Sequence, residues 1–177
     1  MPPEELEDLG AWLTKATHDL QAAEYLSQAE EPLLDIVVYH CQQAMEKALK
    51  GFLTFKNSPF AKIHALVPLV EQAAEFDAGF EDLLDHAENL SPFAWRFRYP
   101  GELLEPDESE ARDALELARE ALDFVLDRVP EDARPGQLRE GEAHSEAATT
   151  AELPPQVKPT PDEAGSETGG PGSESET

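Results

Sequence analysis

Four polar side chains recur along one segment at a spacing that brings them to the same side of an α-helix. They are separated by steps of three, four and three residues: His40, Gln43, Lys47 and Lys50. An imidazole exchanges protons near neutral pH, and an ammonium group attracts anions. We call these four residues the polar stripe, and their chemistry makes it a candidate anion-binding surface.

A second basic and aromatic segment follows later, with Arg96 and Arg98 inside the string WRFRY. If these arginines converge with the polar stripe, they form a local anion-binding patch on an acidic protein. In the alternative interpretation, the stripe is a solvated helix face with a Glu46–Lys50 ion pair, worth about a few tenths of a kcal/mol. The aromatic residues of WRFRY then plug an end of the fold while its arginines pair with acids. The sequence leaves both interpretations open.

Metal and nucleophile chemistry find little support in the sequence. The five histidines form no His-x3-His pair, and the Glu-x-x-His pairs of a di-iron bundle are absent. There is no P-loop and no Gly-x-Ser-x-Gly sequence. Cys41 is the only cysteine, which excludes an internal disulfide, and it falls on the apolar side of its predicted helix. We therefore expect no metal, no cofactor and no Cys–His dyad.

The charge of the chain limits its partners. The net charge is −25, and −17 of it belongs to residues 1–130. Nonspecific binding to nucleic acids draws on Lys and Arg, so this chain would need a local basic patch to contact RNA. The acidic start is unlike a signal peptide, and no apolar run reaches the roughly 18 residues of a membrane span. These features predict a soluble, cytoplasmic protein that does not enter a membrane.

Composition divides the chain at residue 130. Residues 131–177 contain six Pro and six Gly and almost no large apolar side chains. Such a segment cannot bury enough surface to offset its ordering entropy, and we predict a disordered acidic tail over 131–177. Residues 1–130 are long enough to form one substantial core.

Apolar residues recur at helical spacing throughout residues 1–130, and no segment alternates with period two. We predict helices over residues 3–27, 33–56, 65–76 and 81–90, and a fifth that begins after Asp107 and runs to Pro130. Asp107 and Glu110 have the spacing of a capping box. The three prolines between the fourth and fifth helices indicate an ordered loop or a broken helix. The predicted fold is all-α, an up-and-down antiparallel bundle of four to five helices.

These elements together resemble the HEPN family, whose helical domains are named for higher eukaryotes and prokaryotes nucleotide-binding. Four strings carry the resemblance, in chain order: Trp12 to Ala23, YHCQQAMEKALKGFL from Tyr39, KIHALVPLV from Lys62, and RYP from Arg98. The likeness covers roughly residues 6–129 and leaves out the tail. It implies a bundle that commonly dimerises, often beside a minimal nucleotidyltransferase in modules of toxin–antitoxin type.

Many HEPN members are metal-independent RNases that carry Arg, four to six residues, and then His. No arginine in residues 1–130 is followed by a histidine at that distance. The one match, Arg139 to His144, lies in the predicted tail and agrees with chance expectation. Ala65 also stands where the family often has an acid after the histidine. We therefore expect no catalytic residues of the HEPN RNase type.

The resemblance and the residue chemistry together predict a non-catalytic component that binds a nucleotide or a nucleotidyltransferase and forms a homodimer. The predicted contact residues are Asp19, His40, Gln43, Glu46, Lys47, Lys50, His64, Arg98 and Tyr99. Two alternatives remain: an RNase toxin that uses His40 or His64 with Arg98, and a purely structural dimerising module. In the structural alternative, Asp19 and Glu46 pair with Arg98 and Lys47 inside the bundle.

Overall fold

A computed structural model describes residues 2–97 and 105–136 of the chain. These residues form five α-helices, with no strand among them: α1 Pro3–Ser27, α2 Leu34–Phe55, α3 Val67–Ala74, α4 Leu84–Leu90 and α5 Glu108–Leu126. Three 3₁₀ helices accompany them, over Ala78–Leu83, Ser91–Ala94 and Glu131–Ala133. The predicted all-α antiparallel bundle is confirmed. None of the described helices is long and apolar enough to cross a membrane.

Helix α2 is the centre of the fold and packs most extensively against α1 and then α5. Thirteen of its residues are buried, including Val37, Cys41, Met45 and Phe52. The predicted apolar side of this helix is therefore confirmed. It is only part of the buried surface, because polar residues of α2 are buried as well.

The α1–α2 pair is antiparallel and close. His40 near the start of α2 meets Asp19 of α1, whereas Gly51 near its end meets Leu9, Trp12 and Leu13. A Cβ atom at Gly51 would lie 3.2 Å from the Cβ of Trp12. The glycine thus lets the two helices approach each other.

The ends of α5 follow the sequence prediction in part. The Asp107 side chain accepts a hydrogen bond from the Glu110 N–H at 2.8 Å, which caps the helix. The Glu110 carboxylate does not complete a capping box, because it accepts from Arg96 at 2.9 Å. The α-helix ends at Leu126, and Val129 remains buried beyond it.

The segment between α3 and α5 differs from the single predicted helix over 81–90. Asp77 caps a 3₁₀ helix by accepting from the Gly79 N–H at 2.9 Å, and α4 begins only at Leu84. Arg128 binds Asp77 at 2.9 Å, and its guanidinium stacks on the Phe124 ring. These contacts fix the start of this segment against the end of α5.

The described chain continues past the predicted domain boundary at residue 130. The turn Glu131–Ala133 packs against α1, and Ala133 is fully buried. The remainder of the predicted tail, residues 137–177, lies outside the described residues, as do residues 98–104.

Candidate functional site

The polar side of α2 is covered by neighbouring segments on both flanks. Helix α1 lies against His40 and Lys47, and the connection between α2 and α3 lies against Glu46 and Lys50. Lys50 is only 7% exposed, so it does not present its charge at the surface that the sequence predicts for anion binding. The interpretation of the stripe as a wholly solvated face is wrong for the same reason.

Asp19 organises the flank that faces α1. Its Oδ1 lies 2.9 Å from Nδ1 of His40, and its Oδ2 accepts a hydrogen bond from Nζ of Lys47. Lys47 also donates to Oε1 of Gln43 at 3.3 Å. The side chains of His40 and Lys47 are 26% and 23% exposed. This flank therefore presents an imidazole and a neutralised ammonium group at the edge of the fold.

Glu46 organises the other flank and is almost fully buried. Lys50 Nζ donates to its Oε1 at 2.7 Å, and Gln42 Nε2 donates to its Oε2 at 2.9 Å. Nδ1 of His64 lies 3.1 Å from Oε2. A buried carboxylate is tolerated only with such partners, because an unpaired charge in the interior is costly.

Backbone carbonyl groups fix the α2–α3 connection over this flank. Lys50 donates to the Ile63 carbonyl at 3.2 Å, and Gln42 donates to the His64 carbonyl at 2.9 Å. Phe60 packs edge-on against Trp12 with ring centroids 5.9 Å apart. The connection is thus held by polar contacts to α2 and an aromatic contact to α1, while the His64 side chain remains 64% exposed.

Gln43 joins the two flanks into one network. Its Nε2 donates to Gln42 Oε1 at 2.8 Å and lies 3.4 Å from Glu46 Oε2, and its Oε1 accepts from Lys47. We call the connected set the polar network: Asp19, His40, Gln42, Gln43, Glu46, Lys47, Lys50 and His64. Hydrogen bonds therefore run without a break from an imidazole at one edge to an imidazole at the other.

Burial and hydrogen bonding act on the pKa of Glu46 in opposite directions. Burial tends to raise the pKa of the carboxyl group, but hydrogen bonds from Lys50 and Gln42 and the Lys50 charge outweigh it. The pKa of Glu46 is consequently lowered, and the group is ionised at neutral pH. On the apolar side of the same helix, burial raises the pKa of the Cys41 thiol to about 12.

Seven of the nine predicted site residues belong to the polar network. The other two, Arg98 and Tyr99, lie outside the described residues. The structural alternative expected Asp19 and Glu46 to pair with Arg98 and Lys47. In the structure, Asp19 pairs with Lys47 and Glu46 pairs with Lys50. The predicted Glu46–Lys50 ion pair is confirmed, although it is buried rather than exposed.

The described part of the WRFRY segment, residues 95–97, contributes no cation to the polar network. Arg96 pairs with Glu110 of α5, and Trp95 is 63% exposed. Phe97 stacks on Phe93, with ring centroids 6.1 Å apart. Arg96 therefore behaves as the acid-paired arginine of the alternative interpretation, whereas Trp95 does not fill the bundle end.

Gln42 is the one network residue that sequence reasoning missed. It is fully buried and donates to both Glu46 and the His64 carbonyl. The signal was available, because Gln42, Glu46 and Lys50 are spaced by four residues and form one ridge of the helix. The covering connection, which makes that ridge buried, was not apparent from periodicity.

Chemically, the network can hold ligand groups only at its two edges, where His40 and Lys47 or His64 reach solvent. Among the described residues, no group of three His, Cys, Asp or Glu is arranged to hold a metal ion. Its interior groups are already paired and serve to position the edges.

Comparison with known proteins finds one matching family model and solved structures with a similar fold. A family model described as the HEPN domain matches residues 9–129. The crystal structure of TT1696 from Thermus thermophilus is 28% identical with a TM-score of 0.60, covering 68% of this chain and 98% of that one. That of ST0689, an archaeal HEPN homologue, is 23% identical with a TM-score of 0.56, covering 69% and 98%, and supports the fold alone. No curated protein matches the chain significantly.

Proposed function

The chain belongs to the HEPN family, and on that premise we propose that it is the non-catalytic binding component of a two-protein module. Its partner in the module is a minimal nucleotidyltransferase, and the arrangement is of toxin–antitoxin type. The protein acts as a homodimer and binds a nucleotide or the partner at the exposed edges of the polar network. It works in the cytoplasm without a metal or another cofactor.

The observation that carries this proposal is the pairing of every described lysine of the polar stripe with a carboxylate. Lys47 pairs with Asp19 and Lys50 with Glu46. Cleavage of RNA is accelerated by a cation that stabilises the charge developing on the phosphate, in addition to an acid or base. Two neutralised ammonium groups suit recognition and positioning better than they suit such catalysis. The absence of Arg-x4–6-His from residues 1–130 supports the same conclusion.

The edge formed by His40 and Lys47 is the proposed contact for an anionic ligand group. Asp19 fixes the His40 ring through Nδ1, which leaves Nε2 for the ligand. Lys47 keeps donor capacity after its bonds to Asp19 and Gln43, since an ammonium group has three protons. A nucleotide phosphate at this edge would therefore be bound by hydrogen bonds from two side chains that lie two turns apart on α2.

Thermal unfolding with a panel of adenine and guanine nucleotides tests this proposal. A nucleotide at about 100 times its dissociation constant should stabilise the protein by about 2.7 kcal/mol. Lys47→Met should reduce that shift strongly, whereas His86→Ala, at a histidine that pairs with Glu120 of α5, should leave it unchanged. Absence of any shift, together with failure to co-elute with a nucleotidyltransferase, would favour the purely structural module.

A second candidate function, RNA cleavage with a non-standard site, is favoured by the two carboxylate-bound histidines. Nδ1 of His40 is held by Asp19 at 2.9 Å and Nδ1 of His64 by Glu46 at 3.1 Å. A carboxylate that orients an imidazole in this way is common in general acid–base catalysis. Labelled RNA incubated with the purified protein distinguishes the candidates. Cleavage that disappears in His40→Ala or His64→Ala would establish the enzyme and contradict the non-catalytic proposal.

A further inference from the structure

A groove between the start of α2 and the segment after α4 has a different chemistry from the polar network. It has an accessible volume of about 250 Å³ and is lined by Asp35, Ile36, Tyr39, Phe93 and Phe97. We call it the aromatic groove. Its volume lies below the roughly 300–1,000 Å³ of pockets for whole small molecules. The groove is thus sized for one or two large side chains of a macromolecule.

Apolar surface is concentrated in the two segments that form this groove. Five large hydrophobic side chains are exposed among the described residues, and three of them belong to these segments: Leu33, Ile36 and Trp95. Leu33 and Ile36 lie at the start of α2, and Trp95 lies between the groove residues Phe93 and Phe97. Of these three residues, only Ile36 lines the groove itself, where it lies beside three aromatic rings. A partner side chain in the groove would therefore bury apolar surface.

Charge decides what kind of partner fits. Asp35 lies in the groove wall, and Glu30 and Glu31 are exposed in the turn that precedes it. No described cation lies within ion-pair distance of these three carboxylates. On the opposite wall, the Arg96 guanidinium is engaged by Glu110 and lies over the Phe97 ring. The surface therefore combines an apolar slot with a carboxylate in its wall, Asp35, which we call the acidic rim.

We propose that the aromatic groove docks an amphipathic helix of another protein, with a large apolar side chain in the slot and Lys or Arg beside it on the acidic rim. A second copy docked here would bring its own Asp35 to the same groove, and two like charges oppose that arrangement, so we expect the proposed homodimer to use another face. The net charge of −25 opposes anionic membranes and nucleic acids at this groove. The inference does not depend on the proposed nucleotide or nucleotidyltransferase contacts, because the groove shares no residue with the polar network.

Fluorescence anisotropy with the full chain and two synthetic helices provides the test. One labelled peptide carries Leu on one face of a helix and Lys on the other face. Its matched control replaces each Lys by Glu. The Leu/Lys peptide should bind, and Ile36→Asp should weaken it about tenfold, since a central apolar anchor commonly contributes that much. Phe76→Asp is the matched control, because Phe76 is 46% exposed but lies outside the groove. Asp35→Asn should weaken binding and reduce its dependence on salt.

Several results would overturn the proposal. Failure of the Leu/Lys peptide to bind, equal binding of the Leu/Glu peptide, or equal weakening by Phe76→Asp would each remove its basis. If Ile36→Asp converts a dimer to a monomer in sedimentation velocity, the groove belongs to a second copy. If phosphatidylserine vesicles bind the wild-type protein but not the Ile36→Asp variant, the groove binds a membrane. Circular dichroism melting of each variant checks that the fold is intact, as expected at partly exposed positions.

Discussion

Glu46 and Lys50 show how much one buried ion pair determines at this helix. Their side chains are 5% and 9% exposed, and their mutual attraction offsets part of the cost of removing two charges from water. The Glu46 carboxylate also accepts a hydrogen bond from Gln42 and lies beside the His64 ring. A single carboxylate therefore connects α2 to the segment that covers it. Loss of this one negative charge would leave a buried cation without compensation.

Replacing Glu46 by Gln tests this dependence. Glu46→Gln keeps the side-chain size but leaves the Lys50 ammonium group buried, so the free energy of unfolding should fall by about 3 kcal/mol. The double variant Glu46→Gln with Lys50→Met should recover part of that loss. Urea unfolding measures both. The control is Lys47→Met, at the more exposed Asp19 pair, where about 1 kcal/mol is expected. Equal losses in Glu46→Gln and Lys47→Met would contradict the assignment.

The lowered pKa of Glu46 predicts a specific pH dependence. Its folded pKa lies below the unfolded value of about 4.3, so the stabilisation is present above the unfolded pKa and is lost as pH falls through the folded pKa. The difference in unfolding free energy between wild type and Glu46→Gln should therefore be constant from about pH 5 to 7 and shrink below about pH 4. Urea titrations at each pH measure it, and a difference that persists at the lowest pH would contradict the assignment.

At the scale of the helices, α1 and α2 make the most extensive contact among the described elements. They also approach closely at Gly51. Gly51 is responsible, because a Cβ there would meet Trp12, whose own Cβ cannot move without the α1 backbone. Helices pack at a distance set by the side chains at their contact, so a larger residue must separate them.

Gly51→Ile should accordingly destabilise the protein by about 1–3 kcal/mol, as overpacking of a core does. The control is Ala11→Ile, which places the same side chain at an exposed position of α1. Thermal unfolding of the two variants should show a lower melting temperature for Gly51→Ile alone. A neutral Gly51→Ile would mean that α1 shifts freely relative to α2.

Helical periodicity was sufficient to predict the long elements because each buries an apolar stripe. It placed α1 at its observed bounds and α2 within one residue at each end. It could not predict the burial of Gln42 and Lys50, since that depends on Phe60 and His64 reaching back from a connection with no periodic pattern. The division of residues 78–90 into a 3₁₀ helix and α4 follows from the Asp77 cap and was likewise not apparent.

At the scale of the whole molecule, the described fold continues past the domain boundary that the sequence predicts. Ala133 is fully buried and its turn packs against α1, although composition placed the boundary at residue 130. Composition averages over a window, and one small apolar residue in a polar segment does not change that average. The tail over 131–177 therefore remains a prediction for its larger part.

Two shortened chains locate the boundary. A chain ending at residue 136 should melt at the same temperature as the full chain, because it retains the Glu131–Ala133 turn. In a chain ending at residue 130, the apolar surface that Ala133 covers becomes exposed. Its free energy of unfolding should therefore fall by about 1 kcal/mol, which lowers the melting temperature by about 4 °C. Differential scanning calorimetry compares them. Equal melting of all three chains would show that the turn contributes nothing.

The burial of Cys41 has a practical consequence for handling the protein. Its side chain is fully enclosed and its pKa is raised to about 12, so almost no thiolate forms or reaches a reagent in the native state. Because the chain has no second cysteine, every covalent dimer formed on air oxidation must join two molecules that have each opened. The proportion of such dimers on a non-reducing gel therefore records how often the interior has been exposed during storage.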